Sequence, residues 1–313
     1  MVDRQLRIVF MGTPEFAVPS LQFLFEAGYQ IAAVVTAPDK PGGRGMKQIL
    51  VSPVKSFAIS KGLPVLQPSN LKSKSFYKEL KELNADLQVV VAFRMLPEVI
   101  WRMPPLGTIN LHGSLLPAYR GAAPIQWAII NGEKTTGLTT FFLAHQIDTG
   151  HIIRQVEIPI IDSDNAGTLH DRMMHAGAGL VLGTVDLIAS GKADDIVPQQ
   201  EANSSHAPKI HHGDARIQWT DSVSTIHNLI RGMSPYPGAW TVLDGMELKI
   251  FTATIHSDLQ DNPVGKLTTA GKRMLVQASD GEIEILEMQL AGKKRMTPGE
   301  FLNGYKIKAE SVS

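Results

Sequence analysis

The sequence predicts an α/β protein: a doubly wound, mostly parallel sheet followed by a small C-terminal antiparallel β-barrel. Three observations carry that expectation. Short apolar, partly β-branched runs alternate with helical patterns through the first part of the 313-residue chain, and strands that alternate with helices build parallel sheets. A polar, proline-bounded stretch at residues 196–208 (IVPQQEANSSHAP) then breaks the pattern and reads as a linker. Beyond it, short strand-like runs are separated by hairpin-type dipeptides, Asp244-Gly245 and Asp280-Gly281. The expected division is a domain at 1–195, a linker at 196–209 and a second domain at 210–313.

The elements follow in order. Residues 6–11 (LRIVFM) form the first strand, which ends at Gly12-Thr13-Pro14. Pro14 suits the first turn of a helix, along which Phe16, Val18, Leu21, Leu24 and Phe25 recur at helical spacing. A second buried strand is expected at 31–35, then a long polar loop, a helix at 53–60, a strand at 63–66 and a helix at 73–83. Residues 87–92 (LQVVVA) give the strongest buried-strand signal, and 108–112 give another. Strands at 138–143 and 151–159 precede a long helix over 166–190, where Leu169, Met173, Ala176, Leu180 and Leu187 step by three, four or seven. A short helix at 223–231 opens the last domain.

Composition narrows the classes. Lys plus Arg (30) equals Asp plus Glu (30), and 43% of residues are apolar. That balance argues against disorder, an acidic tail or a uniformly basic coat, but not against a local basic patch. The chain has no cysteine, so disulfides, thiolate metal sites and a cysteine nucleophile are impossible. The apolar run 8–11 is too short for a signal peptide, and nothing approaches the roughly 18 to 20 apolar residues of a membrane span. A soluble, cytoplasmic protein is expected.

Several motif matches fail on physical grounds. Gly177-Ala178-Gly179 lies within a helical pattern, whereas a dinucleotide fingerprint needs a strand-to-helix turn. Asp148-Thr149-Gly150 occurs once, and aspartic-protease chemistry needs two carboxylates sharing a proton. His211 and His212 lack carboxylate or thiolate partners at metal spacing, and His170 and His175, five apart, face different ways on a helix. No metal is expected.

Residues 110–124 (NLHGSLLPAYRGAAP) differ in kind, because polar groups, glycines and prolines directly follow a strand. Ligands in open parallel sheets sit at the carboxyl ends of strands. Asn110 and His112 share one face of the strand at 108–112, since side chains alternate with period two. They are either an oxyanion-stabilising pair or a buried strand end that satisfies loop backbone. Asp148, in a glycine-terminated loop after another strand, could orient His112 or accept its proton. A Ser114–His112–Asp148 triad is the weaker constellation, for Ser114 lacks the G-x-S-x-G context. Residues 39–55 hold four basic side chains, one acidic and three glycines, as a lid, a phosphate contact or a plain surface loop. Lys293-Lys294-Arg295 is a second, smaller basic cluster.

In order along the chain, these features resemble the methionyl-tRNA formyltransferase family. The resemblance rests on Met11-Gly12-Thr13-Pro14-Glu15-Phe16, Pro38-Asp39-Lys40-Pro41, Gly43-Arg44-Gly45 and the 110–117 run NLHGSLLP. It continues through Tyr119-Arg120-Gly121-Ala122-Ala123-Pro124 and Asp148-Thr149-Gly150 to Ala207-Pro208-Lys209-Ile210, the 235–239 run PYPGA and the 291–296 run AGKKRM. The Asn-x-His and Asp set marks the wider group of 10-formyltetrahydrofolate transferases, and the C-terminal motifs narrow it. Phe93-Arg94 stands where the family usually has a tyrosine-glycine pair near the pterin, and Gln218 where it usually has an acidic residue before the tryptophan.

The resemblance implies a Rossmann-like first domain, an OB-like barrel, and formyl transfer from 10-formyltetrahydrofolate to the α-amino group of methionyl initiator tRNA in translation initiation. A small-molecule formyltransferase acting on a nucleotide or sugar amine is the alternative. Asn110 and His112 would stabilise the tetrahedral oxyanion, and Asp148 would orient the imidazole and help remove the amine proton. Ser114, Leu115, Leu116 and Pro117 would adjoin the folate, while Arg44, Lys47, Lys293, Lys294 and Arg295 would contact tRNA. A monomer is expected.

Overall fold

A computed structural model describes residues 4–42, 48–192, 197–200, 203–256 and 262–313. Strand β1 (Arg7–Gly12) is buried except at Arg7 and leads through a 3₁₀ turn at Glu15–Ala17, capped by Pro14, into α1 (Val18–Glu26). Strand β2 (Gln30–Val35) follows. Within the expected polar loop, β3 (Lys40–Gly42) and β4 (Gln48–Leu50) pair antiparallel, so its flanks are hairpin arms. The Leu50 side chain occupies the space that a side chain at Gly42 would need, a packing detail that polar composition hides.

Helix α2 (Pro53–Ser60) starts where Ser52 Oγ accepts the Lys55 N–H at 3.1 Å, with proline in the first turn. After β5 (Val65–Leu66), Ser73 caps α3 (Lys74–Glu82) in the same way, and Phe76 and Leu80 are its buried face. All five residues of β6 (Leu87–Val91) are buried, as a central parallel strand covered on both faces requires. A single-turn helix α4 (Glu98–Trp101) precedes β7 (Thr108–His112). Then come β8 (Arg120–Gly121), α5 (Pro124–Ile130), β9 (Thr135–Phe142), β10 (Ile152–Pro159), α6 (Ala166–Ala189) and β11 (His206–Ala207). Periodicity over four to seven residues is too brief to distinguish α4 and α5 from loops.

The large sheet has the order β10-β9-β7-β6-β1-β2-β5. Strands β5, β2, β1, β6 and β7 run parallel, and β9 is antiparallel to β7. The chain builds outward from β1 in one direction through β2 and β5, then in the other through β6 and β7. Strand order thus reverses beside β1, the topology that opens a crevice at the carboxyl ends of such strands. The doubly wound, Rossmann-like sheet agrees with the sequence expectation.

The remaining elements are α7 (Val223–Met233), β12 (Ala239–Leu243), β13 (Met246–His256), β14 (Leu267–Ala270), β15 (Arg273–Gln277), β16 (Glu282–Leu290) and α8 (Pro298–Gly304). Their antiparallel sheet runs β12-β13-β16-β15-β14. Asp244 and Gly245 both take left-handed φ, +50° and +76°, the conformation of a two-residue hairpin turn. The C-terminal residues join the two edge strands. Leu267 N–H donates to Glu310 O and Val312 N–H to Gly265 O, while Val242 and Ser313 exchange both backbone bonds. This is how an open five-stranded sheet becomes barrel-like. Its core includes Ile226, Ile230, Leu248, Ile250, Ile285, Met288 and Phe301.

The chain divides into two compact units: residues 1–121, 137–158 and 170–206, and residues 122–136, 159–169 and 207–313. Segments 122–136 and 159–169, which fall within the first domain expected from sequence, group with the second unit. Helix α5 explains one of them, because it packs so closely on α7 that a Cβ at Gly232 would lie 2.5 Å from Ile130 Cγ1. No helix among the described residues is long and apolar enough to cross a membrane.

Candidate active site

The chemistry-bearing residues of the first unit gather at the carboxyl end of β7. Leu111 turns away from them into the packing beneath α6, where a Cβ at Gly177 would meet Leu111 Cδ2 at 2.7 Å. The glycines at 177 and 179 thus lie inside a helix, as the sequence implied, and Gly177 admits a neighbour. With Leu111 facing α6, the alternation of β7 turns Asn110 and His112 to the opposite side. Asn110 is half-buried, and its amide makes no hydrogen bond among the described residues.

His112 is only 5% exposed. Its Nε2 lies 2.8 Å from the Tyr119 carbonyl oxygen. A carbonyl only accepts, so Nε2 carries the proton in that bond and the ring orientation is fixed. Nδ1 is left facing Asp148 Oδ2 at 3.7 Å, an ion-pair separation too long for a direct hydrogen bond. Asp148 in turn accepts the Gly121 N–H on Oδ2 at 3.0 Å. Its backbone is left-handed, with φ +55°, a conformation that aspartate tolerates better than most side chains. Two residues on, Gly150 is obligatory: a Cβ there would fall 1.6 Å from the Phe142 carbonyl oxygen.

Ser114 is fully buried, and its hydroxyl donates to Ala118 O at 2.5 Å. Both ring nitrogens of His112 have other neighbours, so a Ser114–His112–Asp148 triad has no nucleophile–base bond. The 114–117 turn is braced from below. Thr139 Oγ1 donates to Ser114 O at 2.7 Å and receives the Leu116 N–H at 3.0 Å, while Gln155 Nε2 donates to Leu116 O at 3.0 Å. Leu116 is buried with Ser114, and Leu115 and Pro117 are half-buried.

The basic segments take different fates. Arg44 and Lys47 lie outside the described residues. Lys55, counted in the same basic stretch, is committed to Asp39 at 2.5 Å, and Gln67 Nε2 reaches the other oxygen at 2.9 Å. Hydrogen bonds from Lys55 and then Gln67 hold the Asp39 carboxyl below its ordinary range. Lys293, Lys294 and Arg295 are exposed, but the Arg295 guanidinium stacks 3.4 Å from the Phe251 ring centroid and donates to the Pro235 carbonyl. Arg94 Nη2 donates to Pro68 O at 2.8 Å, tying the end of β6 to the neighbouring loop.

The structure sets His112 against Asp148 with Asn110 on the same side of β7, and it adds orienting groups that the sequence does not mark. The Tyr119 carbonyl and the Gly121 N–H are main-chain groups and carry no residue-type signal.

The parallel sheet, its Asn-x-His strand end and the loop aspartate all lie within a segment that matches the formyl transferase class. Residues 6–185 match the formyl transferase family and residues 209–306 its C-terminal domain. The chain is 53% identical to methionyl-tRNA formyltransferase of Parabacteroides distasonis over 99% of both chains. It is 50% identical to the Bacteroides fragilis enzyme of that name, over 98% of this chain and 97% of the relative. Among solved structures, the N-formyltransferase of Helicobacter canadensis, in complex with folinic acid and dTDP-3-aminofucose, shares the fold. Its TM-score is 0.68 at 20% identity, over 93% of this chain and all of that one. The chain belongs to the methionyl-tRNA formyltransferase family.

Proposed function

We propose that the protein transfers a formyl group from 10-formyltetrahydrofolate to the α-amino group of methionyl initiator tRNA, which prepares that tRNA for translation initiation. The observation that carries the reading is His112 facing Asp148 at 3.7 Å, with Asn110 on the same side of β7, in a chain about half identical to its named relatives from end to end.

The reaction explains why these groups are needed. An α-amine titrates at about 7.7 to 8.0, and an adjacent ester lowers that, so much of the nucleophile is neutral near pH 7. Attack of its nitrogen on the formyl carbon forms the C–N bond and pushes an electron pair onto the formyl oxygen. The larger task is holding that oxyanion, and a well-placed donor contributes roughly 3 to 4 kcal/mol. The side-chain amide of Asn110 supplies one donor. His112 supplies a second donor from Nδ1 when the ring carries both protons, since Nε2–H is already committed to Tyr119 O. Asp148, 3.7 Å from that ring, balances its positive charge and accepts the proton released by the amine. Collapse of the adduct then breaks the bond to the folate nitrogen, which leaves with the proton that Asp148 took from the amine.

Residues 114–117 adjoin the folate in this reading. Ser114 contributes by bracing the turn, since its hydroxyl already bonds Ala118 O. Catalysis is assigned to residues 1–195 and tRNA-backbone binding to 210–313, joined through 196–209. Arg44, Lys47, Lys293 and Lys294 are the assigned phosphate contacts, with Arg295 beside them on Phe251. The protein works as a cytoplasmic monomer without a metal.

Alanine at Asn110, His112 or Asp148 should lower kcat by about 100-fold or more while melting temperature and far-UV circular dichroism stay as in the wild type. Wild-type turnover in any one of the three would remove that residue from the mechanism.

A further inference from the structure

We infer that Gln199 is a positioning residue for the reaction, holding the Asp148 loop and the 119–121 loop at one fixed separation. The inference rests on the formyl-transfer reading for its kinetics but on geometry for its substance. Gln199 sits in the stretch that composition marks as a linker, and it is half-buried in the first unit. Its Nε2 donates to Asp148 O at 2.9 Å and to Gly150 O at 2.8 Å. Its Oε1 accepts from Arg120 Nε at 3.1 Å and from Arg120 Nη2 at 2.7 Å.

Two donated and two accepted bonds use the full capacity of a carboxamide. The amide orientation is unambiguous, because arginine can only donate and a main-chain carbonyl can only accept. No other side chain of this length fits. Glutamate would set an oxygen against two carbonyl oxygens, and lysine could not accept from Arg120.

The surrounding bonds show what this clamp controls. The 119–121 loop holds His112 through Tyr119 O and holds the Asp148 carboxylate through Gly121 N–H. Gln199 joins Arg120 of that loop to the main chain of Asp148 and Gly150. The loop is anchored from the same side by Ser205, whose Oγ accepts Tyr119 N–H at 2.8 Å and whose carbonyl accepts Arg120 N–H at 2.9 Å. The distance from His112 Nδ1 to Asp148 Oδ2, 3.7 Å, is therefore set by a closed circuit of which Gln199 is one link. A displacement of about 1 Å in such a pair is enough to cost around 100-fold in rate.

The test compares Gln199→Glu and Gln199→Ala. Glutamate keeps the acceptor for Arg120 and loses both donors, so anchoring of Arg120 alone would leave Q199E near wild type. Clamping of the Asp148 loop predicts that Q199E and Q199A both lose at least about tenfold in kcat. KM for tRNA and folate should stay within about twofold, because no binding contact is removed. Activity is normalised to the folded fraction from a thermal melt, so a purely structural role would restore wild-type kcat. Wild-type kcat in Q199E would overturn the inference. A crystal structure of Q199E separates this from the function itself. Displacement of the Asp148 carboxylate from Gly121 N is expected, and an unmoved carboxylate overturns the inference whether or not the wild type formylates tRNA.

Discussion

Asp148 is held by neighbours that constrain its backbone as tightly as its carboxylate. Its left-handed φ, the Gly121 N–H on Oδ2 and the close pass of Gly150 under Phe142 O leave the loop one way to run. Gly150→Ala tests this directly. With 1.6 Å between the new Cβ and a main-chain oxygen, the loop must move, at an expected cost above about 2 kcal/mol and with a fall in kcat. Urea denaturation and steady-state turnover would check it, and wild-type values in both would mean that the loop yields freely. The side chains proposed as catalytic stand out in the sequence because period-two alternation on a strand places Asn110 and His112 on one face. Asp148 was legible because a carboxylate in a glycine-terminated loop after a strand is unusual. The Tyr119 carbonyl, the Gly121 N–H and the role of Gln199 were not legible. Main-chain groups leave no mark on residue type, and a glutamine in a polar stretch looks like any solvated one.

At the scale of elements, long periodic or continuous apolar segments announced themselves, and short ones did not. Helices α2, α3, α6 and α7 and strands β6 and β7 lie where their apolar pattern puts them. Serine caps open α2, α3 and α7, and Asn165 Oδ1 accepts the Thr168 N–H at the start of α6. The single turn of α4 and the arms of the β3–β4 hairpin fall below the length at which periodicity can be read. The barrel carries an electrostatic feature of its own. Glu284 of β16 is only 13% exposed and bonds the Arg273 guanidinium of β15 at 2.7 Å and His256 of β13 at 2.8 Å. The Arg273 hydrogen bonds, with help from His256, hold its carboxyl down to about 2. A depressed carboxyl stabilises the fold fully above the ordinary carboxylate range and loses that contribution as pH falls through about 2. Glu284→Gln should therefore lower the melting temperature at pH 7 and narrow its gap from wild type as acid is added. A gap that stays constant down to pH 2 would show that ionised Glu284 contributes nothing.

For the whole molecule, charge balance is the property most easily misread. Thirty basic against thirty acidic residues first argues against a nucleic-acid partner. Seven of the thirty basic side chains fall in two short segments, 39–55 and 293–295, and even there Lys55 is taken by Asp39 and Arg295 is stacked on Phe251. With these segments as the proposed phosphate contacts, few phosphates are neutralised, and affinity for tRNA should fall only modestly with added salt. The division into two units was only partly legible. The polar stretch marked where the pattern changes, yet α5 belongs with the barrel unit through its packing on α7, a contact between segments about a hundred residues apart that no local pattern records. The measurement that bears most directly on the central claim is a competition assay. The purified protein, supplied with 10-formyltetrahydrofolate, is offered methionyl initiator tRNA and a nucleotide-linked amino sugar at equal concentration. The account predicts formyl-methionyl-tRNA as the product, with the amino sugar untouched. Formylation of the sugar with the tRNA left unmodified would contradict it.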